Sequence, residues 1–297
     1  MRKQIGLTRV DVAVALACVA LVLAQAAVLN AGGRERSKRE LCLANLRMLT
    51  AAWQLYAQDN AGKIVNGAAS TSGSACPPGI NCPTGTNCAA TLPLSGIWYT
   101  MHRDELPWIG FAIVSSPTGY TPAEICCQRC AIQTGALWKY TGDYNIYRCP
   151  FGKKDALVTY SIIDSMNGKF MWNGSTGGTN TPAYMMAKNT SGIKNASGRI
   201  VFIDEGTLSP DSYAVYSGAE YWFDPPPVQH EGGTCVSFAD GHSAYHKWKS
   251  KETITLGSGG IYNAQPTTCD GKNDLYWVQI GCWGELLYAP SCPVNIE

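Results

Sequence analysis

The sequence predicts an α+β fold: a long N-terminal α-helix packed on an antiparallel β-sheet head whose loops are stapled by disulfides. Three observations carry that prediction. An apolar run over 12–29 leads into a helix-periodic segment over 34–60. An Asp240-Gly241 pair stands between two runs of period-two alternation. All but one of the 13 cysteines lie outside the apolar run.

The helix comes first. Arg2 and Lys3 make a short basic leader that ends in Gly6, and Asp11 is the single acid before the apolar run, which only Gln25 interrupts. Asn30, Ala31, Gly32 and Gly33 follow, then a charged block over 34–40. Cys42, Leu46, Leu49, Trp53 and Tyr56 recur at spacings of four and three, one face of an amphipathic helix. Asn60-Ala61-Gly62 is a C-cap signal. Residues 7–60 are therefore expected to form one helix, weakest at Gly32-Gly33, since glycine costs about 1 kcal/mol relative to alanine in a helix interior. A hydrocarbon core needs about 20 residues of apolar helix, which 12–29 nearly supplies. Its many alanines allow close helix approach. A carboxylate costs on the order of 3 kcal/mol at mid-membrane, so Asp11 needs a cationic partner or a place at the membrane edge.

The head follows. Residues 63–95 are rich in Gly, Ser, Thr and Pro without periodicity and read as a long loop held by Cys76, Cys82 and Cys88. Residues 98–114 read as a strand or short helix against a core, and a strand-like run begins at Thr159. The run IVFIDE over 200–205 reads as a buried strand ending in two acids. Residues 234–239 and 242–248 read as a hairpin closed by Asp240-Gly241 in a two-residue type I′ turn. Asn173, Asn189 and Asn195 fit the N-glycosylation pattern, which is read as chance.

Composition bounds the chemistry. The net charge of +1 gives no reason to expect a nucleic-acid partner. Cys18 lies in the apolar run as a small hydrophobe. The disulfide candidates are Cys42, Cys76, Cys82, Cys88, Cys126, Cys127, Cys130, Cys149, Cys235, Cys269, Cys282 and Cys292. An even set outside the membrane segment implies an oxidising compartment, but connectivity is not legible. A Cys42–Cys149 bridge, tying helix to head, is the one pairing expected. Zinc at Cys127 and Cys130 competes with disulfides, but no second C-x-x-C follows. A thioredoxin-like site there lacks strand–helix context.

No catalytic residue is assigned. There is no G-x-S-x-G elbow, phosphate loop or H-E-x-x-H. His242 and His246 share a strand face, where a polar strand edge is favoured over a metal site. His230 is expected to bond a loop backbone, and Asp240 to form the turn with Gly241. No cofactor or metal is assigned. Calcium is the alternative kept open, at Asp270 and Asp274, with Lys272 between them.

Two motifs carry a family resemblance. The leader, Gly6 and Asp11 resemble the type IV prepilin signal shared by pilins and type II secretion pseudopilins, with Leu7 where Phe is usual and Asp11 where Glu is usual. His230, nine residues, then Asp240-Gly241 resembles the H-x9-DG domain that accompanies such leaders in planctomycete and verrucomicrobial bacteria. CLANLRML over 42–49, YRCP over 147–150 and IVFIDE over 200–205 add to the match. The resemblance implies cleavage between Gly6 and Leu7, methylation of Leu7, and a pair between Asp11 and a neighbouring subunit's terminal amine. It implies a leader over 1–6, a spine helix over 7–60 with 7–29 in membrane or filament core, and a head over 61–297. The implied function is a structural filament subunit, not an enzyme. Its partners are copies of itself, the prepilin peptidase and the inner-membrane assembly machinery. The implied location is the inner membrane as a precursor, then an extracellular filament or periplasmic pseudopilus. Rival readings of the N-terminus are a secretory signal cut near Ala26, a lipoprotein signal at Cys18 and an uncleaved anchor. Rival functions are an anchored or secreted binding protein that never polymerises, and a hydrolase gathering His230 with Asp204 or Asp240 in a cleft.

Overall fold

In the computed structural model the described residues are 9–68, 76–86, 88, 105–110, 120–168, 185–206 and 212–296, with the side chains of the first helix described from Gly33 onward. That helix, α1, spans Arg9–Asp59, against the expected 7–60. It runs unbroken through Gly33, whose carbonyl accepts the Ser37 hydroxyl at 2.8 Å. Its end is the expected cap: Gly62 at φ 83° donates its N–H to the Ala57 carbonyl at 2.8 Å. The predicted face is the buried one. Cys42, Leu46, Leu49 and Trp53 are all within 1 % of full burial, as is Ala57, while Tyr56 of the predicted face is half-buried.

That face lies chiefly on a four-stranded antiparallel sheet, order β1-β2-β3-β4. The strands are β1 Tyr160–Ile162, β2 Ile200–Asp204, β3 Gly233–Phe238 and β4 Ser243–Lys247. β1 to β3 are buried throughout, β2 as the apolar run over 200–205 predicts, while β4 is half-exposed. The Thr50 hydroxyl of α1 bonds Ser237 of β3 at 2.7 Å, so these two polar groups between the layers are satisfied. Behind the strands, Trp108 packs edge-on to Phe202 and stacks on Tyr147, with centroids 5.5 and 6.2 Å apart.

The hairpin is present, but its turn differs from the expected one. Phe238 N–H bonds the His242 carbonyl and Gly241 N–H bonds the Phe238 carbonyl, each at 2.9 Å. The loop is thus three residues, with Gly241 at φ 102°. A type I′ turn requires positive φ at both central residues. Asp240 instead turns its carboxylate onto the His242 N–H (3.1 Å) and ring Nδ1 (2.6 Å). That local bond competes with the tighter turn, leaving the glycine to take the left-handed position.

Helices complete the head: α2 Pro122–Thr134, α3 Trp138–Thr141, α4 Lys251–Ser258 and α5 Cys269–Trp283. Three disulfides, Cys76–Cys130, Cys82–Cys126 and Cys88–Cys127, fasten the 76–88 loop to α2. A fourth, Cys269–Cys292, holds the C-terminal tail to the start of α5. Cys127 and Cys130 are therefore bridged, not a C-x-x-C metal site. The expected Cys42–Cys149 bridge is not formed: Cys42, Cys149, Cys235 and Cys282 are buried free thiols.

The stretch considered for calcium is not a loop. Residues 270–274 form the first turns of α5. Asp274 takes the N–H groups of Lys249 and Ser250, each at 3.0 Å, and Lys272 pairs with Glu220 at 2.8 Å. Asn189 and Asn195 each precede a short 3-10 turn. Gly6, Leu7, Asn173 and most of the 98–114 segment lie outside the described residues, as does the side chain of Asp11.

Candidate functional site

Four chain segments meet at one sealed point. α1 brings Cys42. The turn after the 3-10 segment Tyr144–Tyr147 brings Cys149. The end of β2 brings Asp204, and the segment before β3 brings His230. Their ligand atoms all lie within 4.8 Å of one another, and none of the four residues is more than 2 % exposed.

Local bonds explain the placement. Asn45, nearly one turn beyond Cys42, donates to the Asn145 and Arg148 carbonyls at 3.1 and 2.9 Å, which pins the 145–148 stretch to α1. Cys149 N–H bonds the Thr159 hydroxyl at 2.6 Å. Asp204 is oriented by Gly206, whose N–H meets Oδ1 at 2.9 Å and leaves Oδ2 facing the cluster. Tyr245 donates its hydroxyl to the His230 carbonyl at 2.8 Å. The expected backbone partner of the His230 ring is thus not what holds it.

The ring meets side chains instead. His230 Nε2 is 2.7 Å from Asp204 Oδ2 and 3.2 Å from Cys149 Sγ. Cys42 Sγ donates to the same Oδ2 at 3.4 Å. Tyr160 O–H points at Cys42 Sγ, and Phe151 N–H at Cys149 Sγ, each at 3.3 Å. Phe151 packs edge-on to His230, centroids 4.7 Å apart, and Lys38 of α1 lies over Phe151 at 4.8 Å. These two residues help to close the site on that side.

Burial pushes both thiols up, Cys42 and Cys149 alike. For His230 burial pulls the other way, but the bond to Asp204 and then that to Cys149 outweigh it and raise the ring to about 9. Nδ1 of His230 is buried with no hydrogen-bond partner among the described residues.

The cluster does not have the order of a nucleophilic relay. In a relay the carboxylate holds one ring nitrogen while the other faces the nucleophile. Here Asp204 and Cys149 both address Nε2. Asp240, the other partner weighed for a hydrolase, is at the hairpin turn with His242. What the set does supply is two sulfurs, an imidazole nitrogen and a carboxylate oxygen converging from four directions, a donor set suited to a four-coordinate metal.

His242 and His246 do not form a pair. His242 stacks on Phe238 at 4.2 Å, and His246 stacks on Trp277 of α5 at 3.7 Å. Burial, and then the charge of Lys249, hold His246 down at about 4, from an ordinary 6.5. The unfolded chain takes up that proton first. This stabilising term is therefore present in full above pH 6.5 and is lost as pH falls toward 4. Its upper bound is on the order of 3 kcal/mol, at 1.36 kcal/mol per pKa unit. His246→Phe should flatten that stretch of the stability–pH curve in thermal melts between pH 7 and pH 4.5. An unchanged slope would remove His246 as its source.

Two further features complete the surface. A cleft of about 440 Å³ opens beside the end of α1, between Trp53, Ala57 and the 190–196 segment, with no titratable side chain among the described residues that line it. Along α1, Leu41, Met48 and Leu55 are 52, 44 and 45 % exposed. They recur every seven residues and lie about 130° round the helix from the buried face, at about 100° per residue. Among the described residues no helix is long and apolar enough to cross a membrane. The side chains of the 12–29 run lie outside that set.

The sequence reading named Cys42, Cys149, Asp204 and His230 in separate motifs, and the structure brings them together. It did not find Tyr160, which carries no motif and reaches Cys42 only through the pairing of β1 with β2. No family model, no curated protein and no solved structure matches this chain.

Proposed function

We propose that this chain is a structural subunit of an extracellular type IV pilus-like filament or of a type II secretion pseudopilus. It is inserted in the inner membrane as a precursor, cut between Gly6 and Leu7, methylated at Leu7 and assembled through α1. Copies of the same chain are its main partners, with the prepilin peptidase and the inner-membrane machinery acting on the way.

The observation that carries this reading is the double-sided character of α1. One face is consumed by the sheet. The stripe of Leu41, Met48 and Leu55 is left in solvent, in line with the apolar run that precedes it. An apolar seam repeating every seven residues suits packing against a second helix. A second copy of the chain supplies one with the same spacing. The disulfides fit an oxidising extracytoplasmic compartment. The Cys–His–Asp cluster, at most 2 % exposed at each residue, fits a structural role better than turnover.

The test is the mature N-terminus of native material, with negative-stain microscopy. A chain that begins at Leu7 within fibres supports the proposal. A dispersed monomer that begins at Ala27 supports a secreted binding protein instead. Asp11→Ala should lower filament yield about tenfold or more, the loss expected when a buried charge pair worth at least about 1.4 kcal/mol is removed. The precursor level in the membrane should stay unchanged. Undiminished fibre yield would sink the pairing role of Asp11.

A further inference from the structure

We propose that Cys42, Cys149, Asp204 and His230 form a structural site for a divalent cation of the zinc class, which fastens α1 to the head. The proposal does not depend on polymerisation and concerns the single chain.

The donor chemistry comes first. Two sulfurs and an imidazole favour a borderline-soft cation over calcium or magnesium, which need six or more oxygens. Four protein ligands with no open position, all buried, define a structural centre and not a catalytic one. The spacing is close to what such a centre needs. Bond lengths of about 2.0–2.3 Å set tetrahedral ligand atoms about 3.3–3.8 Å apart. The Cys42–Asp204 and Cys149–His230 separations are 3.4 and 3.2 Å. The His230–Asp204 pair, at 2.7 Å, has to open by about 0.6 Å on that geometry, and the remaining pairs lie within 4.8 Å. The proton now shared by those two atoms is what a cation replaces.

The surroundings are built for thiolates. Phe151 N–H and Tyr160 O–H each aim at one of the two sulfurs. Gly206 N–H fixes the other oxygen of Asp204. Such outer partners orient ligands and spread the charge of a centre that carries one net negative charge. Binding releases the two thiol protons and the Nε2 proton of His230, with no change in oxidation state.

The remaining cysteines sharpen the case. The cysteines of the 76–88 loop, of α2 and of the C-terminal tail are all bridged. Cys42 and Cys149 stay as thiols although their sulfurs lie within 4.8 Å of each other. In a compartment that oxidises those eight, a shared cation is a physical reason for these two adjacent thiols to remain unpaired.

The experiment uses the full chain, purified in detergent without reductant. Metal content is measured directly, and cobalt(II) is titrated into metal-stripped protein. The expected result is one equivalent of metal per chain and a near-ultraviolet sulfur-to-cobalt band. Cys42 and Cys149 should resist alkylation until a chelator is added. Cys42→Ser and His230→Gln should weaken cobalt binding about a hundredfold or more, beyond the loss typical of outer partners. Cys282→Ser, a buried thiol elsewhere, should leave it unchanged. Asp204→Asn, nearly isosteric, should weaken binding while the fold, read by circular dichroism, is kept. Three results overturn the proposal: no metal and no sulfur band in the wild-type chain, a Cys42–Cys149 peptide link in a non-reducing digest, or binding that survives Cys42→Ser.

Discussion

Replacing Trp53 by alanine is expected to cost about 3 kcal/mol of stability and to loosen α1 from the sheet. Trp53 is 1 % exposed in the centre of the inner face of α1. Large-to-small changes of a buried tryptophan cost about 3–5 kcal/mol, part transfer and part cavity. Two features place this one at the low end. The indole N–H is buried without a partner among the described residues, so its removal relieves a desolvated donor, worth about 1–3 kcal/mol elsewhere. The residue also borders the 440 Å³ cleft, so water can fill the space left behind. Denaturant unfolding of the full chain in detergent, followed by circular dichroism, measures the loss. Met48→Ala on the exposed stripe of the same helix is the control, with a change within about 0.5 kcal/mol. If Trp53→Ala lost less than the control, α1 would not be held by its inner face.

Disulfide removal should show the opposite of what loop length alone suggests. Cys82–Cys126 closes a separation of 44 residues and Cys269–Cys292 one of 23. Chain-entropy bookkeeping assigns them about 4 and 3.4 kcal/mol. The longer bridge has company, however. Cys76–Cys130 and Cys88–Cys127 join the same two segments. With those in place the unfolded chain is already closed there, and Cys82→Ser/Cys126→Ser should cost about 1 kcal/mol or less. Cys269–Cys292 stands alone at the start of α5, so Cys269→Ser/Cys292→Ser should lose most of its term, about 2–3 kcal/mol. Paired melts of the two double variants decide the matter. A greater loss from the 82–126 pair would mean that the three bridges act independently.

Much of the fold was legible because its signals are local. The spacing of Cys42, Leu46, Leu49 and Trp53 marked the buried face of α1, and the apolar run at 200–205 marked a buried strand. Other local signals mark the helix ends. Thr121 and Glu124 form a reciprocal capping box at the start of α2, visible as T-x-x-E. Thr268 caps α5, and Gly284 at φ 90° ends it, so the stretch weighed as a calcium loop was bounded by helix signals. The turn at Asp240-Gly241 was read one residue short, because the carboxylate bond to His242 has no trace in the strand periodicity.

The cluster was legible only in pieces. Cys42 and Asp204 are 162 residues apart, and no period or spacing in one chain joins them. The same holds for the cysteines: their number implied bridges, but partnership depended on which sulfurs the packing of α2 and its loop brought within reach. Cys42 and Cys149 show the limit. They do come together, as the expected pairing required, yet Asp204 and His230 arrive at the same point and give each thiol a polar partner.

The amino-acid order alone determined where α1 runs, which side of it is apolar, where the hairpin lies and that the head is cysteine-rich, because each depends on neighbours within a turn or a strand pair. Tertiary structure decided which cysteines bridge, which stay free and which four side chains share a sealed point. Those outcomes depend on distances across the sheet and helix layers, which are set only when the apolar faces have excluded water together.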